Sequence, residues 1–496
     1  MWAGEPSRFD LAPGYPVKLL PCGPHTEAKI YEKKEGHGPQ LSGIREAYDT
    51  HVANFKQARE NARQNMLKNL HLFHRARVAF FQWNAEFLSP TAFEIVQSFI
   101  PGGENRANVD EVDVLVVAFQ ELNNLSDSQH EKFIRKVVGA LNALSTHRTW
   151  SSRESKFKEL STVIGTKAHA QGWRANRQAI YTIVREGVID PQKTRTCSWS
   201  FHLREKGFVA VSLKLNNLGR FLAVGVHLPT KKGQSKFLSD VLDEVVDECV
   251  PSRERGKGLE YFAAGVYVLG DYNSRLSAQS AQDTVDNLKD ESAYCDLFDL
   301  PPTPPEESVL AHQLLYMTDY ERADKESRFA PILWAADSLG GADDFDEGAG
   351  DLRESLLQRK FSTVTACYAA PFSFKWQKSC VPGKDAKMAE VTKRCLTEKS
   401  KKDVRDTGFL DRLSICMPNS SIPPSESELP RNGAFVTHAE QLLNLRSDHL
   451  PQLFIVDIIR RKEPPFPSHD DDSVFPVHKE GGKKAEARKR SKTTYW

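Results

Sequence analysis

Short apolar runs, each closed by a polar cluster, recur along the chain from residue 76 onward. They are Ala76–Trp83, Val112–Phe119, Gly207–Leu215, Arg220–Val226, Val266–Leu269, Phe409–Cys416 and Gln452–Ile459. Runs of this length, rich in branched and aromatic residues, predict β-strands. Asn216-Asn217-Leu218-Gly219 joins two of them as a hairpin. Helical patterning falls between others, over Ser126–Ala143 and Lys236–Glu248. It also covers Leu41–Leu72, which has good helix formers and no proline. This α+β mixture predicts a two-sheet β-sandwich flanked by helices.

The polar stretches divide the chain further. Residues 1–40 are rich in Pro and Gly and predict an irregular segment. Residues 41–74 form a helical extension, and 75–462 a single catalytic domain. Two insertions interrupt that domain: proline-rich Leu300–Glu307, and Gly340–Asp351, which is acidic and glycine-rich. Residues 463–496 read as a disordered basic tail, with Lys483-Lys484 and Arg488-Lys489-Arg490. Such a tail suits a nuclear signal or an anionic lipid surface.

Composition narrows the class. Hydrophobic residues are 40% and charged residues 27%, as in a soluble protein with a sizeable core. Lys plus Arg is 67 against 66 for Asp plus Glu, a net charge of +1. Bulk electrostatic binding of nucleic acid is therefore disfavoured, and charge recognition must come from local segregation. None of the eight cysteines forms a C-x-x-C pair, so structural zinc has no support. No signal peptide and no long apolar span is present, which predicts an intracellular protein.

Chemistry collects after the strands. Ala76–Trp83 is followed by Asn84 and Glu86, Val112–Phe119 by Gln120-Glu121, and Arg220–Val226 by His227. Val266–Leu269 runs into Gly270-Asp271-Tyr272-Asn273, and Ser447-Asp448-His449 precedes the last strand. Strands ending at one edge of a sandwich would gather these groups. They supply oxygen ligands for a hard cation, an acid/base pair and neutral donors. That set suits metal-assisted attack of water on a phosphate ester. A His beside an Asp can be fixed in one tautomer and held protonated.

The ordered motifs FQWNAEF, VVAFQEL, VGVHLP, VLGDYNSRL and LRSDHLP resemble the endonuclease/exonuclease/phosphatase superfamily. Within it, REKGFVAVSL, SFKW and RDTGFLDRLSI resemble the inositol polyphosphate 5-phosphatases, over about Ala76 to Arg460. The resemblance implies the DNase I-like four-layer α/β/β/α fold. It also implies Mg²⁺-dependent removal of a 5-phosphate from a phosphoinositide or soluble inositol polyphosphate. Carried over, Glu121 binds Mg²⁺, with Asn84 close to metal and phosphate. Asp271 orients the water, and Asn273 and His227 contact the scissile phosphate. Asp448 and His449 form the metal-side and phosphate-side pair. Lys206, Lys375 and Arg405 read a neighbouring phosphate, and Arg275 is retained beside Asn273. Thr407, Phe409, Glu205, Pro229 and Ser373-Phe374 depart from the family pattern, and these departures bear on substrate choice.

Three rivals stand beside this reading. One is a nuclease or sphingomyelinase-type phosphodiesterase of the same superfamily. Another is a cysteine phosphatase, because Cys249 and Arg255 have Cys-x5-Arg spacing; the loop between them lacks the Gly that lets amides wrap a phosphate. The third is a non-catalytic phosphoinositide-binding module.

Overall fold

A computed structural model describes residues 15–16, 70–99, 108–123, 125–145, 155–165, 177–200, 206–230, 233–274, 339, 350–363, 373, 375–377, 408–417, 432–442 and 446–462. The chain divides into two units, Met1–Arg461 and Lys462–Trp496. The predicted 41–72 helix lies outside the described residues except for Leu70–Leu72, a short 3-10 turn. The Leu300–Glu307 insertion and the 463–496 tail also lie outside them. The close of the acidic insertion, Gly350 and Asp351, begins a helix.

The expected two-sheet sandwich is present. The strands are β1 Tyr15–Pro16, β2 Phe73–Asn84, β3 Val114–Leu122, β4 Phe157–Ile164, β5 Arg177–Arg185, β6 Ile189–Ser200 and β7 Gly207–Leu215. They continue with β8 Gly219–His227, β9 Val266–Asp271, β10 Phe361–Thr363, β11 Asp411–Cys416, β12 Asn432–Gln441 and β13 Gln452–Arg461. One sheet has the order β1-β12-β13-β2-β3-β5-β4, the other β10-β11-β9-β8-β7-β6. The helices are α1 Ala92–Val96, α2 Asp127–Leu144, α3 Gln234–Cys249 and α4 Gly350–Gln358.

Side-chain alternation assigns three apolar layers. Odd positions of β2 and β3 (Phe81, Trp83, Val117, Phe119) pack under Phe133, Ile134, Val137 and Leu141 of α2. Ser126 caps that helix and accepts from the Gln129 backbone N–H. Even positions of β7, β8 and β9 (Ala210, Leu222, Val224, Val268) pack under α3 and α4. Between the sheets, Phe80 stacks on Tyr267 at 4.9 Å and on Phe221 at 5.9 Å. Helix, sheet, sheet and helix thus form four layers.

Two parallel pairs place the chemistry. β2 pairs β3, and β8 pairs β9, in parallel register. Each pair therefore ends at the same edge of its sheet. Asn84 lies opposite Gln120, and His227 opposite Asp271. The predicted hairpin joins β7 to β8, with Asn217 and Gly219 at positive φ.

Candidate active site

Asn84, His227 and Asp271 are the last residues of β2, β8 and β9, and all three face the space between the sheets. They are nearly inaccessible, at 2%, 1% and 2% exposure. Period-2 alternation would send Glu121 the other way, toward α2 with Phe119. A bulge between Phe119 and Leu122 reverses it, with Glu121 at φ 52°. The carboxylate then reaches 3.6 Å from His227 Nε2, across to the second sheet.

Asp271 is the hub. Its Oδ2 accepts from Asn84 Nδ2 at 3.2 Å and lies 3.3 Å from His227 Nε2. Its Oδ1 accepts the backbone N–H of Asn273 at 2.7 Å. Asn273 sits at φ 51°, a turn its short polar side chain tolerates, and donates from Nδ2 to Leu228 O at 2.8 Å. Lys206 lies against His227 Nε2. Burial alone would raise the Asp271 pKa. The hydrogen bond with His227 and the charges of His449, His227 and Lys206 instead hold it well below the carboxylate range.

His449 is fixed from three sides. Its backbone N–H donates to Ser447 Oγ, and Ser447 Oγ in turn donates to Asn84 O at 2.7 Å. Its carbonyl accepts from Trp83 Nε1 at 3.0 Å. The imidazole Nδ1 lies 2.9 Å from Asp411 Oδ2, while Nε2 lies 3.9 Å from both Asp271 Oδ2 and Asp448 Oδ1. The sequence neighbour Asp448 is thus the looser partner, and Asp411 is the orienting one. Asp411 stands directly opposite Asp271 in the antiparallel β9–β11 register. Two buried like charges at that spacing repel unless a cation lies between them. Burial disfavours the imidazolium, but Asp411, Asp271 and Asp448 outweigh it and raise the His449 pKa to about 10.

In the sequence Asp411 stands only within RDTGFLDRLSI, with no sign of its role, because its partnership exists only across strands. Ser373, which the sequence marks only as a departure from the family pattern, has a hydroxyl that accepts from the Leu410 and Asp411 backbone N–H groups. Gln234, at the start of α3, is unmarked in the sequence. Its Nε2 donates to Pro229 O and Tyr272 O, tying the loops after His227 and Asp271 together. Their signal was weak, since both are ordinary polar residues in loops or at a helix start.

Lys375 is buried beside this centre. Its neighbour Trp376 donates from the backbone to Asp448 O, and Leu450 donates to Ser373 O. Asp448 is also tied to Glu86, whose Oε2 accepts its backbone N–H at 3.2 Å. Arg275 and Arg405 lie outside the described residues. The structure therefore gathers Asn84, Glu121, Lys206, His227, Asp271, Asn273, Lys375, Asp448 and His449 around one end of the sandwich.

The donor chemistry there suits a hard cation. The carboxylates of Glu121 and Asp448 and the amide oxygen of Asn84 could serve as oxygen ligands. No set of three His, Cys, Asp or Glu forms a ready-made cage among the described residues. Mg²⁺ needs none, because it keeps several waters and takes one or two carboxylates.

The cysteine-phosphatase spacing has a different explanation. Cys249 ends α3 with its side chain in the α3 core layer, and the following residues form a 3-10 turn. Arg255 donates to Asp247 O at 2.7 Å. No phosphate loop surrounds this sulfur.

No protein family and no curated protein matches the sequence. Solved structures that match include the inositol polyphosphate 5-phosphatase domain of SPSynaptojanin in complex with inositol (1,4)-bisphosphate and calcium ion. It shares 12% identity, covering 84% of this chain and 92% of that one, with a TM-score of 0.42. A Cimex nitrophorin shares 12% identity, covering 77% and 98%, at 0.43. D. rerio TDP2 with a single strand DNA product shares 12%, covering 77% and 98%, at 0.31. At these scores the likenesses assign no activity. Among the described residues, no helix is long and apolar enough to cross a membrane.

Proposed function

We propose that this chain is a metal-dependent phosphomonoesterase. Its substrate would be an inositol polyphosphate or a phosphoinositide headgroup, PI(4,5)P2 or PI(3,4,5)P3, losing the 5-phosphate. The supporting observation is the convergence of Asn84, Glu121, His227, Asp271, Asn273 and His449 at the shared end of two parallel strand pairs. Glu121 and Asn84 would hold Mg²⁺, with Asp448 alongside. Bound there, Mg²⁺ would neutralise charge building on the phosphoryl oxygens.

The side chains do the rest. Asp271 is held ionised against its burial by His227, His449 and Lys206. Its role is to accept a hydrogen bond from the attacking water and aim it. Asn273 and His227 offer donors to the phosphoryl oxygens. Charged His449, held by Asp411, places a cation at the phosphate side without further reorganisation. Lys206 and Lys375 bring ammonium groups for a neighbouring phosphate, and Arg275 and Arg405 would add guanidinium forks. The basic tail would give peripheral contact with anionic membrane.

Phosphate release from a panel of inositol lipids, soluble inositol phosphates and DNA ends, with and without Mg²⁺, tests this. Mg²⁺-dependent release from 5-phosphorylated inositols is expected. Release from DNA ends with none from inositols would keep the phosphomonoesterase chemistry and replace the inositol substrate with a nucleic-acid end. On the active substrate, Asp271→Asn is expected to lower turnover about 10²- to 10⁴-fold while the protein still folds. Near-normal turnover would remove Asp271 from the water-orienting role.

A further inference from the structure

One pair of nucleophiles lies outside this chemistry. Cys197 of β6 and Cys249 at the end of α3 face each other, with sulfurs 3.5 Å apart. Both are free thiols, Cys249 fully buried and Cys197 partly accessible. They are 52 residues apart in sequence. No third His, Cys, Asp or Glu completes a metal cage among the described residues. The remaining chemistry open to two adjacent sulfurs is oxidation to a disulfide, which requires them to close by roughly 1.5 Å to an S–S bond of about 2.05 Å.

The surroundings favour a thiolate within the pair. One thiol hydrogen-bonds the other, which holds Cys249 below the ordinary thiol value and Cys197 above it. Arg195 and Arg220 add positive charge that favours the anion at Cys249. Cys249 is therefore placed to take the Cys197 proton along the S–H···S contact when accessible Cys197 reacts.

We propose that Cys197 and Cys249 form a redox modification site, where a small hydroperoxide converts the dithiol to an intrachain disulfide joining edge strand β6 to helix α3. Cys197 sulfur attacks one peroxide oxygen as its proton passes to the Cys249 thiolate, breaking the O–O bond and giving Cys197 sulfenic acid, Cys249 thiol and hydroxide. Cys249 sulfur then attacks the sulfenic sulfur. The S–S bond forms, the S–O bond breaks, and the departing hydroxide takes up a proton as water. With hydrogen peroxide the balance is two thiols and one peroxide giving one disulfide and two waters.

The staple has a mechanical consequence. β6 is the edge of its sheet and is held by β7 alone on one side. α3 begins at Gln234, which ties the loops after His227 and Asp271. The disulfide would therefore lock an edge strand of the second sheet to the helix that braces the site. Closing a loop of this length is expected to raise Tm by about 5 °C.

The experiment treats the full chain with stoichiometric hydrogen peroxide. Free thiols are then alkylated, and cross-linked peptides are mapped before and after dithiothreitol. The expected result is a Cys197–Cys249 peptide pair about 2 Da lighter than the two thiols, with the Tm rise, both reversed by dithiothreitol. Cys197→Ala, at a partly accessible site, should abolish the cross-link and the Tm rise while leaving phosphate release of the reduced protein unchanged. Sulfinic acid on Cys197 without a cross-link would overturn the proposal. So would a cross-link that left Tm unchanged, or one that paired Cys197 indiscriminately with other cysteines.

Discussion

His449 shows how much one cross-strand carboxylate decides. Asp411 and Asp271 are register partners, and the imidazolium between them makes their closeness tolerable. Asp411→Asn keeps the shape of the side chain and removes its charge. Turnover is expected to fall about 10- to 100-fold with little change in KM, because ring orientation and charge are lost while substrate contacts remain. Steady-state kinetics on the active substrate measure this, and a KM effect without a kcat effect would contradict it. A second residue carries its own pH signature. Asp113 is buried and accepts from the Arg77 backbone N–H. Burial raises its pKa to about 6, with that hydrogen bond and Arg185 opposing. The folded state therefore holds its proton longer than the unfolded chain does. Stability from this group is fully present below about pH 4 and is lost as pH rises through about 6, by roughly 3 kcal/mol. Urea unfolding at pH 4 to 7 should show wild type losing that amount relative to Asp113→Asn. A constant difference between the two proteins would refute it.

At the level of elements, the β8–β9 pair depends on one glycine. Gly270 has φ 143°, and a Cβ there would lie 2.0 Å from Val226 O, the backbone of the strand beside it. Gly270→Ala must push apart the two strands that end in His227 and Asp271. A loss of at least about 3 kcal/mol is expected, read as a lowered urea midpoint. A wild-type midpoint would mean that the close approach is not required. This closeness also explains which elements were readable in the chain. β3 and β9 are buried on both faces and show as unbroken apolar runs. β6 is an edge strand, and IDPQKTRTCSWS carries too few apolar residues to announce itself. β5 places Gln178 and Thr182 on its buried inner face, which interrupts the run. Strand-end residues such as Asn84, His227 and Asp271 were legible for the same reason as the strands before them. Glu121 reaches the site only through a bulge, and the His449–Asp411 pairing only through sheet register. Neither is a property of local sequence.

Across the whole molecule, the balance of 67 cations against 66 anions conceals two separated charge systems. One is structural. Arg77 forms a paired contact with Asp457, and Arg185 caps the carbonyls of Val109, Val112 and Ser155. It lies several residues down β2 and β3 from the site, and its charges are matched internally. The other is the end of the sandwich, where Glu86, Glu121, Asp271, Asp411 and Asp448 crowd around His227 and His449. Lys206, Lys375 and charged His449 offset part of this excess, and on the proposed reading a divalent cation is the further counter-charge. A ligand that binds only the folded chain stabilises it by mass action, so Mg²⁺ at a hundredfold excess over Kd should add about 2.7 kcal/mol. Differential scanning fluorimetry in EDTA and in saturating Mg²⁺ reads this as a Tm rise of a few degrees, with no substrate required. Glu121→Gln keeps the side-chain volume and removes one ligand charge, and should erase most of the rise. Asp190→Asn, at a surface pair with Lys193, should leave it intact. A full Mg²⁺ shift in Glu121→Gln would take the metal away from this carboxylate, and no shift in wild type would leave the charge excess without its counter-ion.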